Sequence, residues 1–418
     1  MTLKNFYFIL RFMNEALETL EKRGFIKQCT NLDLLSEKMN NGPIVFYNGA
    51  DPTGPSLHIG HLVPIFALKH LCRAGHRGII LIGGGTARIG DPSGKTEMRK
   101  MLDYDTLDKN AESIQKQLEK FLAEDAASVR FMNNKEWFAN VNYIDFLRDI
   151  GSHFSVNKML TFEAYKKRME TGLSFLEFNY QLLQSYDFLT LNKNYGVTLQ
   201  IGGDDQWGNM VAGSDLIRRK TGNEVFSLTF NLITRSDGQK MGKSEKGALF
   251  LDPNLVSPYD FFQYWRNVDD SDVKKFMKLF TFLPMDEIES VCAGNINAAK
   301  ERLAFEVTFL IHGKTEAEKA LEGAKAAFSG GGNKEAMPTV DFPASRFAEG
   351  IGVLDLFAEA GLASTKSEAR RLVEQGGAFI GEEKISDIKA LIKTDRLDKD
   401  NELILRAGKK RFIRVKLT

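Results

Sequence analysis

Residues 46–61 constrain the fold of this chain most, because they join a strand to a helix through a turn rich in glycine and proline. The apolar run 44–47 predicts a buried strand. After the turn, apolar residues recur at helical spacing over 57–71, and Ser56 is the expected N-cap. A strand that enters a helix in this way is typical of the nucleotide-binding edge of an open α/β sheet.

Two histidines stand at the end of this stretch. His58 and His61 are three residues apart, so they project from one side of the first helical turn, beside the positive end of the helix dipole. Gly60 has no Cβ and would let an adenine ring lie against the backbone. Such a pair is also found in metal half-sites, in caps and on ordinary surfaces. Here it predicts two hydrogen-bond donors where phosphate charge could develop.

Composition excludes several classes of protein. A chain of 418 residues, 43% hydrophobic and 27% charged, fits two or three globular domains. The formal net charge of +1 gives no general attraction to nucleic acid, so any RNA contact must be local. The three cysteines form no Cys-x-x-Cys pair and no cluster with the six histidines, which predicts no zinc or disulfide framework and a cytoplasmic location. No stretch reaches the length of a membrane span.

Two further strand ends carry polar residues. The glycine-rich turn after the predicted strand 78–82 looks like a phosphate loop, but only three residues separate Gly90 from Gly94 where that motif needs four. It is interpreted instead as a turn that carries Asp91. Two glycines and then Asp204 and Asp205 follow the predicted strand 197–201, and acids at the carboxyl end of such a strand can bond ribose hydroxyls.

A predicted helix over 174–191 places Tyr180, Gln184 and Asp187 on one stripe. Its apolar neighbours indicate that the helix is mostly buried. An unpaired buried amide or carboxylate costs about 1–3 kcal/mol, so these side chains need partners. Either other buried groups of the protein or a bound ligand would supply them.

The string His-Ile-Gly-His at 58–61, the first signature, follows Asp51, Pro52 and Thr53 and resembles that of class I aminoacyl-tRNA synthetases. With Tyr47 ahead of it, the similarity is to the tyrosyl-tRNA synthetase family. Residues 240–244, Lys-Met-Gly-Lys-Ser, resemble the second signature of the class, Lys-Met-Ser-Lys-Ser, with Gly242 in place of a serine. The resemblance covers nearly the whole chain from about Met13, and residues 1–12 are expected to be an N-terminal extension or to follow an upstream start codon.

The resemblance implies ATP-dependent attachment of L-tyrosine to tRNA(Tyr) through tyrosyl-adenylate, with Mg²⁺ on the ATP phosphates, no protein-bound metal and a homodimer. It implies catalytic roles for His58, His61, Lys240 and Lys243. The residues implied to bind tyrosine are Tyr47, Asp91, Tyr180, Gln184, Asp187 and Gln206. Those implied to bind ATP are Gly49, Asp51, Thr53, Gly60, Asp205 (favoured over Asp204), Lys243 and Ser244.

The expected fold class is α/β, with a Rossmann-like parallel-sheet catalytic domain over 1–235. A signature loop and helical domain over 236–330 and a linker over 331–350 follow. Residues 351–418 resemble a small α+β RNA-binding domain shared with a ribosomal small-subunit protein, and carry 14 lysines and arginines against 11 acidic residues. The expected tRNA contacts are Lys366, Arg370, Arg371, Lys409 and Lys410.

Two alternatives belong to other classes of function. A tryptophanyl enzyme of the same fold is disfavoured, because Tyr47 and Asp187 form a phenol-reading pair that an indole does not need. An RNA-binding relative without catalysis would be expected to lack one of the two signatures, and this sequence has both.

Overall fold

The structure is a computed structural model that describes residues 13–95, 97, 101–234, 243–244, 247–329, 338–398, 400–408 and 411–418, with the backbone alone at 243, 244, 247 and 326–329. The helices are α1 (Glu15–Lys22), α2 (Leu32–Asn40), α3 (Leu62–Arg73), α4 (Tyr104–Phe121), α5 (Lys135–Phe138), α6 (Tyr143–Asp149), α7 (Val156–Met159), α8 (Glu163–Thr171), α9 (Phe175–Phe178), α10 (Tyr180–Tyr195), α11 (Trp207–Thr221), α12 (Pro258–Arg266), α13 (Val273–Phe280), α14 (Met285–Ala293), α15 (Ile296–His312), α16 (Lys314–Ser329), α17 (Ala344–Glu349), α18 (Val353–Glu359) and α19 (Lys366–Glu374). The strands are β1 (Ile26–Cys29), β2 (Val45–Ala50), β3 (Arg77–Ile82), β4 (Val129–Asn133), β5 (Val197–Gly203), β6 (Phe226–Phe230), β7 (Lys243–Ser244), β8 (Gly247–Ala248), β9 (Thr339–Phe342), β10 (Ile351–Gly352), β11 (Ala378–Ile380), β12 (Glu383–Lys384), β13 (Leu391–Ile392), β14 (Glu402–Ala407) and β15 (Arg411–Leu417).

The chain divides into two compact units, one of residues up to 256 with 268–299 and one of 257–267 with 300–418. The first unit contains a six-stranded sheet in the order β1-β6-β5-β2-β3-β4, in which β1 is antiparallel to β6 and the other pairs are parallel. Chain order reverses between β2 and β5. A crevice at the carboxyl ends of these strands is therefore the expected ligand site.

The predicted strand–turn–helix corner is present, with a different start to its helix. A single 3-10 turn, Ile59–His61, precedes α3, and the predicted cap at Ser56 is wrong. The cap is His58, whose Nδ1 accepts a hydrogen bond from the Gly60 N–H at 3.0 Å. A histidine is an uncommon cap, and the sequence pattern favoured the serine for that reason.

Two other elements differ from the sequence prediction. The helix expected over 174–191 is divided into α9 and α10 at Asn179, although the stripe of polar residues lies entirely on α10. The buried Arg168 guanidinium bonds Glu177 at 3.1 Å and so fixes the short helix α9 ahead of that stripe. Strand β1 was not predicted, since a four-residue antiparallel edge strand carries little periodicity.

In the second unit, α12 packs with α16, and the Phe261 ring meets His312 edge to face at 4.9 Å. A five-stranded sheet in the order β12-β11-β14-β15-β9 follows, with β9 parallel to β15. The predicted linker 331–350 differs from the structure over its second half. Phe342 and Phe347 are buried in the core of this sheet, so β9 and α17 are ordered there. The remaining domain bounds stay a prediction.

Within the described residues, the structure contains no helix with the length and apolar character that crossing a bilayer requires.

Candidate active site

A cavity of about 570 Å³ lies at the carboxyl ends of β2, β3 and β5. Lys240 lies outside the described residues, and the side chains of Lys243 and Ser244 are not described. The other residues predicted for catalysis, tyrosine and ATP all line this cavity: Tyr47, Gly49, Asp51, Thr53, His58, Gly60, His61, Asp91, Tyr180, Gln184, Asp187, Asp205 and Gln206.

One end of the cavity, called here the phenol end, is formed by Tyr47 and Asp187. Tyr47 is 1% exposed, its ring packs against Phe188 at 5.3 Å, and its hydroxyl has no hydrogen-bond partner among the described residues. Burial, and then the charge of Asp187, raises the pKa of Tyr47. A bound hydroxyl group would give this buried phenol the partner that the described residues do not supply.

Asp187 is 3% exposed and is held by two donors that the sequence analysis missed. Its Oδ2 accepts from Asn134 Nδ2 at 3.0 Å, and its Oδ1 accepts from Trp137 Nε1 at 2.8 Å. Burial raises the pKa of Asp187 to about 8, against the lowering effect of these two hydrogen bonds. Asn134 directly follows β4, and a polar residue at the carboxyl end of a parallel strand was the signal that could have found it.

A hydrogen-bond chain joins the phenol end to the turn after β2. Asn134 Nδ2 donates to Thr86 Oγ1 at 2.9 Å, and Thr86 Oγ1 donates to Asp51 Oδ1 at 2.7 Å. The Tyr180 hydroxyl donates to Asp51 Oδ2 at 2.7 Å. The turn after β3, which lies against this chain, needs glycine at its first position, because a Cβ at Gly83 would lie 1.9 Å from Asp51 Oδ1.

Asp91 is the centre of a second polar group. It is 6% exposed, and its Oδ2 accepts from Gln206 Nε2 at 2.7 Å. Asn209, which the sequence analysis also missed, is within 3.4 Å of Asp91 Oδ1 and donates to Gln184 Oε1 at 3.1 Å. Carboxylate and amide oxygens in this arrangement can accept from a substrate ammonium group.

The two acids after β5, Asp204 and Asp205, have different surroundings. Asp204 Oδ1 accepts from Gln28 Nε2 at 2.7 Å and from Thr229 Oγ1 at 2.8 Å. These contacts engage Asp204 with β1 and β6, whereas Asp205 lines the cavity. Because Asp205 faces the cavity and Asp204 does not line it, the geometry favours Asp205 as the acid that would meet a ligand there.

His58 and His61 form what is called here the phosphate end of the cavity. The two rings lie 3.9 Å apart between centroids. His58 Nδ1 accepts from the Gly60 N–H, and His61 Nδ1 accepts from the His58 N–H at 3.1 Å. Burial, and then the charge of Lys95, lowers the pKa of His58. Neutral rings whose Nδ1 atoms accept must carry their hydrogen on Nε2, so both present a donor from that atom.

The predicted tRNA contacts lie in the second unit. Lys366, Arg370 and Arg371 are exposed on α19, and Lys366 forms a salt bridge with Asp355. Lys409 and Lys410 lie outside the described residues.

Comparison with known proteins gives matches over both parts of the chain. The family model "tRNA synthetases class I (W and Y)" matches residues 39–329, and the "Tyrosine--tRNA ligase SYY-like C-terminal domain" matches residues 333–415. The tyrosine–tRNA ligase of Treponema denticola is 79% identical over 403 residues, which are 96% of this chain and 99% of that protein. That of Treponema pallidum is 64% identical over 403 residues, 96% and 98% of the two chains.

A solved structure of a C-terminally truncated Aspergillus nidulans mitochondrial tyrosyl-tRNA synthetase is similar at a TM-score of 0.68 and 30% identity, over 75% of this chain and 94% of that one. The similarity accords with the mixed α/β fold described above: a mostly parallel six-stranded sheet, then helices, then a C-terminal domain with a mixed sheet.

Proposed function

The chain belongs to the tyrosine–tRNA ligases, a family of class I aminoacyl-tRNA synthetases, and from that membership we propose how its cavity performs their reaction. The activity consumes ATP and attaches tyrosine to tRNA(Tyr). The tyrosine carboxylate attacks the α-phosphate of ATP, which forms tyrosyl-adenylate and releases pyrophosphate. The tyrosyl group then moves to the terminal ribose of the tRNA and AMP leaves.

The tyrosine side chain enters the phenol end. Its hydroxyl lies between Tyr47 and Asp187 and satisfies the buried Tyr47 hydroxyl, for which the described residues supply no partner. The ammonium group binds among Asp91, Tyr180 and Gln184, and Gln206 lies near the carboxylate. Asn134 and Trp137 orient Asp187 and leave its remaining lone pairs for the substrate.

ATP occupies the other part of the cavity. Gly49, Asp51, Thr53 and Gly60 line its binding surface, and Asp205 bonds the ribose. The Nε2 hydrogens of His58 and His61 stabilise the charge that develops on the α-phosphate, with Lys240, Lys243 and Ser244 of the second signature acting on the departing pyrophosphate. No side chain forms a covalent intermediate, so the rate depends on positioning and charge stabilisation.

Mg²⁺ enters as part of the substrate, bound to the ATP phosphates. Among the described residues, no group of three or more histidine, cysteine or acidic side chains is arranged to hold a metal ion. Magnesium commonly binds through substrate phosphates and water with few protein ligands.

The C-terminal part of the chain binds tRNA(Tyr) as an RNA-binding domain of the ribosomal-protein type. Arg370 and Arg371 are exposed on α19, where their guanidinium groups can pair with phosphates. Lys409 and Lys410, which follow β14 in the sequence and lie outside the described residues, add two further positive charges.

The active form is a cytoplasmic homodimer. Large apolar side chains between residues 143 and 175 of the first unit are exposed: Tyr143 (55%), Ile144 (68%), Val156 (55%), Met169 (47%) and Phe175 (70%). Exposed apolar side chains concentrated in one part of the chain favour a protein partner, and a second copy is the simplest one.

The buried Tyr47 hydroxyl beside Asp187 carries the assignment of substrate. ATP–pyrophosphate exchange measured with each of the twenty amino acids tests it. Tyrosine should support exchange far above the other amino acids, phenylalanine included. Exchange with tryptophan at a comparable rate would show that the phenol end also accepts an indole, and would contradict the assignment of tyrosine as the substrate.

A further inference from the structure

Side chains of α4 hold the turn that leads into His58, and none of the roles assigned above includes them. Asn110, Ser113 and Gln117 lie on one side of this helix at spacings of three and four residues. Asn110 Nδ2 donates to Pro52 O at 3.1 Å, and Ser113 Oγ donates to Pro55 O at 2.8 Å. The helix therefore fixes the backbone of this turn at more than one point.

Gln117 holds the peptide directly before the first signature. Its Oε1 accepts from the Leu57 N–H at 3.1 Å and lies 3.1 Å from Ser56 Oγ. Its Nε2 donates to Ser113 Oγ at 3.3 Å, which orients the amide with its oxygen toward the turn. The acceptor oxygen of Gln117 is thus the atom that engages the chain next to His58.

The same peptide is held on its other side by the segment that follows the second signature. The Leu251 N–H donates to Leu57 O at 2.8 Å, and the Asp252 N–H donates to Ser56 Oγ at 3.2 Å. Because both the N–H and the C=O of Leu57 are hydrogen-bonded, the backbone direction at His58, the first residue of the turn, is fixed. The orientation of the second histidine follows, because its Nδ1 accepts from the backbone of His58.

We propose that Gln117 is a positioning residue for the first signature: its amide oxygen fixes the Leu57 peptide so that the Nε2 hydrogens of His58 and His61 meet the reacting phosphate. The proposal rests on the role proposed above for the two histidines. Tyr180 is hydrogen-bonded to Asp51, and Asp187 to Asn134 and Trp137, rather than to Gln117 or the Leu57 peptide. Loss of the Gln117 oxygen should therefore lower the rate of adenylate formation and spare tyrosine binding.

Three variants isolate this oxygen. Gln117→Met keeps the length of the side chain without its polar atoms, and should lower kcat of ATP–pyrophosphate exchange by about tenfold to a hundredfold, with the tyrosine KM within about twofold. Gln117→Glu keeps an acceptor for the Leu57 N–H and should stay within about threefold of the wild-type kcat. Gln115→Met is the matched control on the same helix, because Gln115 bonds Glu119 of α4.

A double variant tests whether Gln117 acts through the histidine. In a His58→Ala background, Gln117→Met should lower kcat by less than a further factor of about two, because the group that Gln117 positions is already missing. An unchanged kcat in Gln117→Met, equal losses in the Glu and Met variants, or a full further loss in the double variant would overturn the proposal. If His58→Ala alone kept the wild-type kcat, the proposed catalytic role of the histidine would fail first.

Discussion

The two ends of the cavity share one sheet but hold their polar groups in different ways. At the phenol end, Tyr47 and Asp187 are 1% and 3% exposed, and the donors that hold Asp187 are other side chains. At the phosphate end, His58 and His61 are half-buried and are held through backbone N–H groups. An unpaired polar group costs more free energy where it is buried, so the phenol end is suited to discriminating between substrates with and without a hydroxyl. Donors that the backbone holds in place need little reorganisation, so the phosphate end is suited to accelerating adenylate formation.

The largest effect should come from the phenol end. Asp187→Ala removes the buried acceptor of Trp137 Nε1 and one of the two acceptors of Asn134 Nδ2. We expect kcat/KM for tyrosine in pyrophosphate exchange to fall by about a thousandfold or more. Asp108→Ala, which removes a surface carboxylate paired with Lys135, is the control and should leave it unchanged. A kcat/KM for tyrosine within about tenfold of wild type in a folded Asp187→Ala protein would contradict the role of the phenol end in selecting the substrate.

Damage to the phosphate end should separate rate from binding. Lys243→Ala removes a cation of the second signature that we propose stabilises charge on pyrophosphate more in the transition state than in the ground state. Adenylate formation in single-turnover kinetics should fall by about 10²–10³-fold, with nearly unchanged affinity for tyrosine. An equal loss of tyrosine affinity would show that this lysine is structural.

Both ends of the cavity lie in the first unit, so the C-terminal part should be dispensable for adenylate formation. A chain that ends at residue 328 should retain pyrophosphate exchange within about threefold of the full chain. Its charging of tRNA(Tyr) should fall by about a hundredfold, because the proposed phosphate contacts of α19 are lost. A folded truncated chain that lost both activities would contradict the assignment of adenylate formation to the first unit and of tRNA binding to the C-terminal part.

A smaller effect concerns stability at the phenol end. The folded-state pKa of Asp187, about 8, lies above its ordinary value of 3.8. Folding therefore favours the protonated form, and its stabilising contribution is complete below about pH 4 and is lost as the pH rises through about 8. Asp187→Asn cannot titrate, so its Tm relative to wild type should rise by a few degrees between about pH 5 and pH 8. A difference in Tm that stays constant with pH would contradict a raised pKa for this carboxyl.

Sequence patterns predicted the parts of the site that are close together along the chain. The corner around residues 46–61 and the stripe of Tyr180, Gln184 and Asp187 both follow from local periodicity and turn residues, and the structure brings them into one cavity. The family resemblance, rather than periodicity, suggested which ligand atoms they meet. Those roles remain proposals.

The groups that hold these residues in place could not be predicted in the same way. Asn134, Thr86 and Trp137 lie on elements other than those of Asp51 and Asp187, and they meet these acids across 35 to 53 residues of sequence. No local pattern records such a pairing, because it depends on tertiary packing. The histidine cap of the first signature was missed for a related reason, since it uses a side chain that the statistics of caps do not favour.

The central claim is that the phenol end selects tyrosine through buried polar groups that are left unpaired when the hydroxyl is absent, a principle for which tyrosyl-tRNA synthetases are themselves the standard example. The most direct test is the ratio of kcat/KM for tyrosine to kcat/KM for phenylalanine in pyrophosphate exchange, in wild type and in Tyr47→Phe. Tyr47→Phe removes only the buried hydroxyl, so it should remain active and narrow that ratio by about tenfold or somewhat more. An unchanged ratio in an active Tyr47→Phe protein would remove Tyr47 from the hydroxyl site and contradict the account.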